Sequence, residues 1–232
     1  SIPDLITKAE CHLFMDAADQ SVAKGTGSKR SNEHWLEAPA EPAYEMAARS
    51  NPLERLRICE LGLEAEQLSA NILWGRVLPF LERELPDTAQ VLFGRSAGLK
   101  DMKMTFAPGE PAVNRYTSGG SFKVHTDNCH VSINILLSDP GAFVGGGTAF
   151  WEQHPQGSST PEDDPAAVLR PRQGCGVCFN GSVRHAGLVV TSGTRHLYVA
   201  SFCLHPPDAG TQGLDEKDWT RWIGRYRLDE MD

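Results

Sequence analysis

A change of hydrophobic period near Leu99 constrains the fold more than any other feature of this chain. Before it, apolar residues recur at helical intervals. After it come short alternating runs separated by Gly and Pro, the pattern of half-buried strands. The runs are Met102 to Phe106, Val113 to Thr117, Phe122 to His125, Val131 to Leu137, Gly147 to Trp151, Gly176 to Phe179, Ala186 to Val190 and His196 to Leu204. So many short strands suit two packed antiparallel sheets, and the expected fold is mainly β with flanking helices around a double-stranded β-helix, or jelly roll.

The first half predicts the flanking helices. Leu5, Ile6, Ala9, Leu13 and Phe14 share one face behind Pro3, so a first amphipathic helix is expected over 3–19. Pro52 opens a short helix with Leu53, Leu56 and Ile58, and Glu64 to Leu85 gives the longest helical pattern, with Leu68, Ile72, Leu73, Phe80, Leu81 and Leu85. Their apolar stripes should pack on the outside of a sheet, with Trp74 as core. Two segments, Ser21 to Pro42 and Gln153 to Ala166, have loop composition and read as surface loops or lids. Trp219, Trp222, Ile223 and Tyr226 predict a last helix that docks on the core. One domain over 1–232 is expected, with helical support to 98, the jelly roll from 99 to 205 and a helical tail from 206.

Composition excludes some functions. A formal net charge of -8 without a Lys/Arg cluster argues against a nucleic-acid partner. No apolar run has the length of a membrane span, and Ser1-Ile-Pro-Asp lacks signal-peptide features, so an intracellular, membrane-free protein is expected. The 6 Cys are irregularly spaced and read as small buried hydrophobes, Cys175 and Cys178 included, since strand positions three apart face opposite ways.

Chemistry is carried by His125 and Asp127, two residues apart on an extended run and so on one face, where both can reach one metal ion. His185 follows in Val183-Arg-His-Ala-Gly187. Two His and one carboxylate, with positions left open, match the facial triad of non-haem iron oxygenases. Along Val131 to Leu137, alternation sends Val131, Ile133, Ile135 and Leu137 to the helical side and leaves Asn134 facing between the sheets. Its amide there takes either a structural hydrogen bond or an anionic cosubstrate. Arg195 shares a face with Leu197, Val199 and Ser201. If that face lines the cavity, its guanidinium needs an anion, and a carboxylate is the best geometric match.

His125-Thr-Asp127, Ser132-Ile-Asn-Ile-Leu136, Gly145-Gly-Gly-Thr-Ala-Phe150, His185-Ala-Gly187 and Gly193-Thr-Arg195, in that order, resemble the Fe(II)/2-oxoglutarate dioxygenases. The similarity is closest to the prolyl and lysyl hydroxylase branch. Val190-Thr-Ser-Gly-Thr-Arg195 with Val199-Ala-Ser-Phe202 looks most like the procollagen lysyl hydroxylase catalytic domain. The resemblance implies His125, Asp127 and His185 as iron ligands and Arg195 as the partner of the distal carboxylate of 2-oxoglutarate. It implies Tyr116 and Asn134 as further cosubstrate contacts, O2 as co-reactant and ascorbate as an accessory reductant. The implied reaction is hydroxylation of a prolyl or lysyl side chain in a protein or peptide, coupled to decarboxylation of 2-oxoglutarate to succinate. Three alternatives stand beside it: a hydroxylase of a free amino acid or other small metabolite, a zinc hydrolase, for which Arg195 is superfluous, and a non-catalytic ligand-binding jelly roll.

Overall fold

The structure is a computed structural model and describes residues 1–25, 52–93, 98–152 and 164–206. Twelve strands run β1 (Leu53–Arg57), β2 (Lys103–Phe106), β3 (Ala112–Tyr116), β4 (Phe122–His125), β5 (Val131–Leu136), β6 (Phe143–Gly145), β7 (Thr148–Phe150), β8 (Ala167–Leu169), β9 (Gly176–Phe179), β10 (His185–Gly187), β11 (Val190–Gly193) and β12 (Arg195–His205). The large sheet has the order β1-β3-β12-β5-β9, with β2 on the far half of β12, and the small sheet has the order β4-β10-β7-β8. A further pair joins β6 to β11, and every pairing is antiparallel. This is the jelly-roll core that the alternating runs imply.

Alternation along β5 and β12 divides two apolar layers. Ile133, Ile135, Tyr198, Ala200, Phe202 and Leu204 face outward and meet Phe14, Ile72, Leu73 and Val77 of the helical side. Each such side chain, fully withdrawn from water, contributes about 1.5–3 kcal/mol. The opposite face gives Tyr116, Leu136, Leu197 and Val199 to a smaller cluster with Val190 between the sheets. Ser69 and the buried Tyr198 hydroxyl hydrogen-bond at 2.7 Å, which satisfies a polar group inside the outer layer.

Helix α1 (Lys8–Ala23) begins five residues later than Pro3 suggests, because Thr7 and Glu10 form a capping box. The Glu10 carboxylate also binds Arg76, tying α1 to the second helical segment. That segment comprises α2 (Leu63–Ala70) and α3 (Leu78–Glu84), joined by a π-helical stretch, Asn71–Val77. Ile72 with Val77 and Leu73 with Leu78, five residues apart, are all buried, as the wider repeat allows. The last α-helix among the described residues, α4 (Thr88–Phe93), precedes β2.

The helix expected at Pro52 is instead the edge strand β1. Pairing with β3, from Leu53 opposite Tyr116 to Arg57 opposite Ala112, overrides the weak helical spacing of so short a run. The run Ala186 to Val190 divides into β10 and β11, and β6 and β8 were too short to register as alternation. All 6 cysteines are free, and burial pushes the Cys11 and Cys178 thiols up to about 11. No helix among the described residues is long and apolar enough to cross a membrane. The expected C-terminal helix and most of the two loop segments lie outside the described residues.

Candidate metal and cosubstrate site

β4 and β10 are neighbours in the small sheet, and their register sets His125 directly opposite His185. The imidazole centroids are 4.2 Å apart. Asp127 lies just past the end of β4, where its backbone N–H donates to Gly181 O at 2.8 Å. The carboxylate thereby reaches both rings: Oδ1 is 3.3 Å from His125 Nε2, and Oδ2 is 3.5 Å from His185 Nε2. One ligand atom from each of the three lies within 4.8 Å of the others, a grouping that can hold one metal ion.

Both histidines have their tautomer set by the backbone. His125 Nδ1 lies 2.7 Å from Lys123 O, and His185 Nδ1 lies 3.0 Å from Val183 O. A carbonyl only accepts, so each Nδ1 carries the proton and each Nε2 keeps its lone pair for a metal. Burial, with the neighbouring His125, holds His185 below its ordinary value and therefore neutral. Burial works against the Asp127 charge, but the neighbouring His125 ring and the Ser132 hydroxyl outweigh it and keep the carboxyl below the usual range. Ser132 Oγ donates to Oδ2 at 2.5 Å. A neutral His185 and an ionised Asp127 are protonation states that suit a divalent ion. Phe122, Phe150 and Phe179 pack on the two imidazoles and limit water there.

Arg195 opens β12 opposite Tyr116 of β3 and is 1% exposed, with its guanidinium carbon 5.3 Å from the Tyr116 ring centre. Its Nη1 has no hydrogen-bond partner, and no carboxylate among the described residues pairs with it. Burial depresses its ordinary value, with Tyr116 acting in the opposite sense. A buried, unsatisfied guanidinium is costly, so the site fits an anion supplied from outside the chain. Two glycines leave room for this arrangement. A Cβ on Gly146 would lie 3.0 Å from Arg195 Cδ, at φ +64, and one on Gly187 would lie 3.1 Å from the Tyr116 hydroxyl.

A cavity open to solvent, with about 370 Å³ of empty space counting its mouth, lies at the triad. Tyr116, His125, Asp127, Asn134 and His185 line it, together with Leu197, Val199 and Ser201 of the β12 face that starts at Arg195. The triad, Tyr116 and Asn134 thus meet at one cavity, and Arg195 stands beside Tyr116 without lining it. Arg115, the neighbour of Tyr116, turns to the outer face and pairs with Asp19 and Glu54.

The cavity also contains Arg55 and Glu110, which the sequence reading missed. Arg55 Nη2 is paired with Glu110 Oε1, and Nη1 donates to Asn114 Oδ1 at 3.1 Å. Asn114 Nδ2 in turn donates to the Tyr116 hydroxyl at 3.3 Å. A polar line therefore runs Arg55, Asn114, Tyr116, Arg195 across the inner face of β1, β3 and β12. Reading 52–58 as a strand would have found it, since alternation puts Leu53 and Arg55 on one face and Glu54 and Leu56 on the other.

No family model matches this chain, and no curated protein matches it. Solved structures do. The non-heme alpha ketoglutarate dependent epimerase SnoN from nogalamycin biosynthesis aligns with a TM-score of 0.52 and 11% identity, over 92% of this chain and 85% of that one. AviO1 from Streptomyces viridochromogenes aligns with a TM-score of 0.50 and 14% identity, over 89% and 88%. A prolyl-4-hydroxylase from Pseudomonas putida gives a TM-score of 0.47 at 16% identity, over 85% and 88%, too loose a fit to carry an argument. At such identities the likeness establishes the fold, and function has to be argued from the site.

Proposed function

We propose that this chain is an Fe(II)- and 2-oxoglutarate-dependent dioxygenase that hydroxylates the side chain of an amino-acid residue, prolyl or lysyl. The observation that carries this reading is the buried Arg195, whose Nη1 has no partner, beside Tyr116, a residue that lines the cavity of His125, Asp127 and His185. A zinc hydrolase has no use for that guanidinium, and a site that merely binds a ligand has no need of two imidazoles with Nε2 turned to one carboxylate.

In this reading His125 Nε2, the Asp127 carboxylate and His185 Nε2 would hold the iron, which when bound would supply O2 activation coupled to oxidation of 2-oxoglutarate. The balance is R–H + O2 + 2-oxoglutarate → R–OH + succinate + CO2. One oxygen atom enters the product hydroxyl and the other enters succinate. Arg195 takes the distal carboxylate of 2-oxoglutarate, while Tyr116 packs beside that guanidinium and Asn134 offers an amide to the cosubstrate. Leu197, Val199 and the three phenylalanines keep the interior dry, which strengthens each charged contact. Ascorbate acts only as a reductant of the metal.

Two settings for the substrate side chain remain in competition. The lysyl hydroxylase resemblance supports a residue within a protein or peptide. Arg55, the arginine that lines the cavity, favours a free amino acid. Incubation with Fe(II), 2-oxoglutarate and O2 tests the reaction by succinate release. Mass spectrometry of free proline and lysine beside capped peptides containing them, looking for one added oxygen, tests the setting. No succinate under any condition overturns the dioxygenase reading.

A further inference from the structure

Arg55 and Glu110 form a charged pair inside the cavity that the proposed cosubstrate chemistry does not use. Resting on the dioxygenase reading, we propose that this pair is the recognition site for a free amino acid, Arg55 taking its α-carboxylate and Glu110 its α-ammonium group.

The placement is direct. Both side chains line the cavity that holds the metal-binding triad. The Arg55 guanidinium lies 5.9 Å from the Phe122 ring centre, and that ring lies 4.6 Å from the ring of His125. The pair therefore stands one aromatic ring away from the triad, a distance that an amino-acid side chain spans.

Hydrogen bonding leaves a donor for the ligand. Asn114 and Glu110 each take one N–H from a terminal nitrogen of Arg55. Each of those nitrogens carries a second N–H, which remains to be offered to a ligand oxygen. Glu110 is held on the other side by the Ser201 backbone N–H. Its carboxylate still has lone pairs to offer an ammonium group.

Charge selects a zwitterion. With the metal and cosubstrate in place, the dication and Arg195 are balanced by Asp127 and the two carboxylates of 2-oxoglutarate. The remaining pair is neutral overall but strongly dipolar, a match for a ligand that is itself neutral and dipolar. An internal peptide residue brings two uncharged amides to the same place and matches neither charge. A buried ion pair is also weak support for stability, because apolar residues of similar volume do as well, so its presence in a cavity wall points to a ligand.

The test is binding of the standard free L-amino acids, each beside its amide and its N-acetyl form, to protein loaded with Zn(II) and 2-oxoglutarate. The readout is ligand-induced thermal shift and calorimetric affinity. The expected result is that at least one free amino acid binds, with its amide and N-acetyl derivative weaker by about tenfold or more. Arg55→Gln should weaken the free acid by at least about tenfold, and Arg55→Lys should restore part of the loss. Glu110→Gln should narrow the gap between the free amine and its N-acetyl form. Equal affinity for acid and amide overturns the proposal, as does the absence of any binding amino acid, whether or not the variants fold. A purely structural Arg55 would lower the melting temperature without changing the ligand's affinity, which also overturns it. The dioxygenase reading fails separately, if 2-oxoglutarate gives no shift in the Zn(II)-loaded parent.

Discussion

His125 and His185 are cross-strand partners of β4 and β10, and each gives its Nδ1 proton to the carbonyl two residues before it. One register thus fixes the separation of the two imidazoles and the repeated contact from Nδ1 to the backbone fixes their tautomers, leaving two Nε2 lone pairs turned toward Asp127.

Metal binding should depend on that register. His185→Ala removes one of the three donors and should cut Fe(II) affinity by about tenfold to a hundredfold or more, with loss of 2-oxoglutarate turnover. Equilibrium dialysis against Fe(II) under anaerobic conditions measures the first, and succinate release the second.

Arg195→Met should raise the apparent KM for 2-oxoglutarate by about tenfold to a hundredfold, corresponding to a charge-assisted pair of about 1.5–3 kcal/mol. Arg195→Lys should recover only part of this, because a point charge does not reproduce the planar fork. A cosubstrate titration on the three proteins provides the check.

Much of this site is legible in the sequence because strand alternation is strict. His125, Asn134 and the face from Arg195 to Ser201 all follow from a period of two on runs long enough to count. Arg55 was hidden because Pro52 to Ile58 contains too few apolar residues to tell a strand from a helical turn, and only pairing with β3 decides it. Glu110 was hidden for a different reason: it lies in the loop before β3, outside any periodic run, so its burial depends entirely on tertiary packing. The short strands β6 and β8 escaped for want of length.

Gly146→Ala should test the space beside Arg195. The left-handed backbone costs an L-residue about 1–2 kcal/mol, and the new methyl group would also press on Arg195 and Phe143. The expected outcome is a modest fall in melting temperature with a rise in the KM for 2-oxoglutarate. A fall in melting temperature alone would show that the Arg195 position is not sensitive to this contact.

Acid should loosen α1 first. The hydrogen bond to Arg76 leads the effects that hold Glu10 at about 2, against an ordinary value of 4.5. A carboxyl with a depressed value stabilises the fold fully above 4.5 and loses that contribution as pH falls toward 2. The pair is partly solvated, so its worth is about 1 kcal/mol after screening. Glu10→Gln should be less stable than the parent at neutral pH, with the difference shrinking between pH 4.5 and 2, as followed by thermal melts.

The most direct measurement is an anaerobic optical titration of the Fe(II)-loaded protein with 2-oxoglutarate. Chelation of Fe(II) by the keto acid produces a visible charge-transfer absorption before any turnover. The expected result is a saturable band in the parent, a titration displaced to higher 2-oxoglutarate in Arg195→Met and no band in His185→Ala. A parent protein that binds Fe(II) and develops no such band would contradict the assignment of His125, Asp127, His185 and Arg195 to a 2-oxoglutarate site.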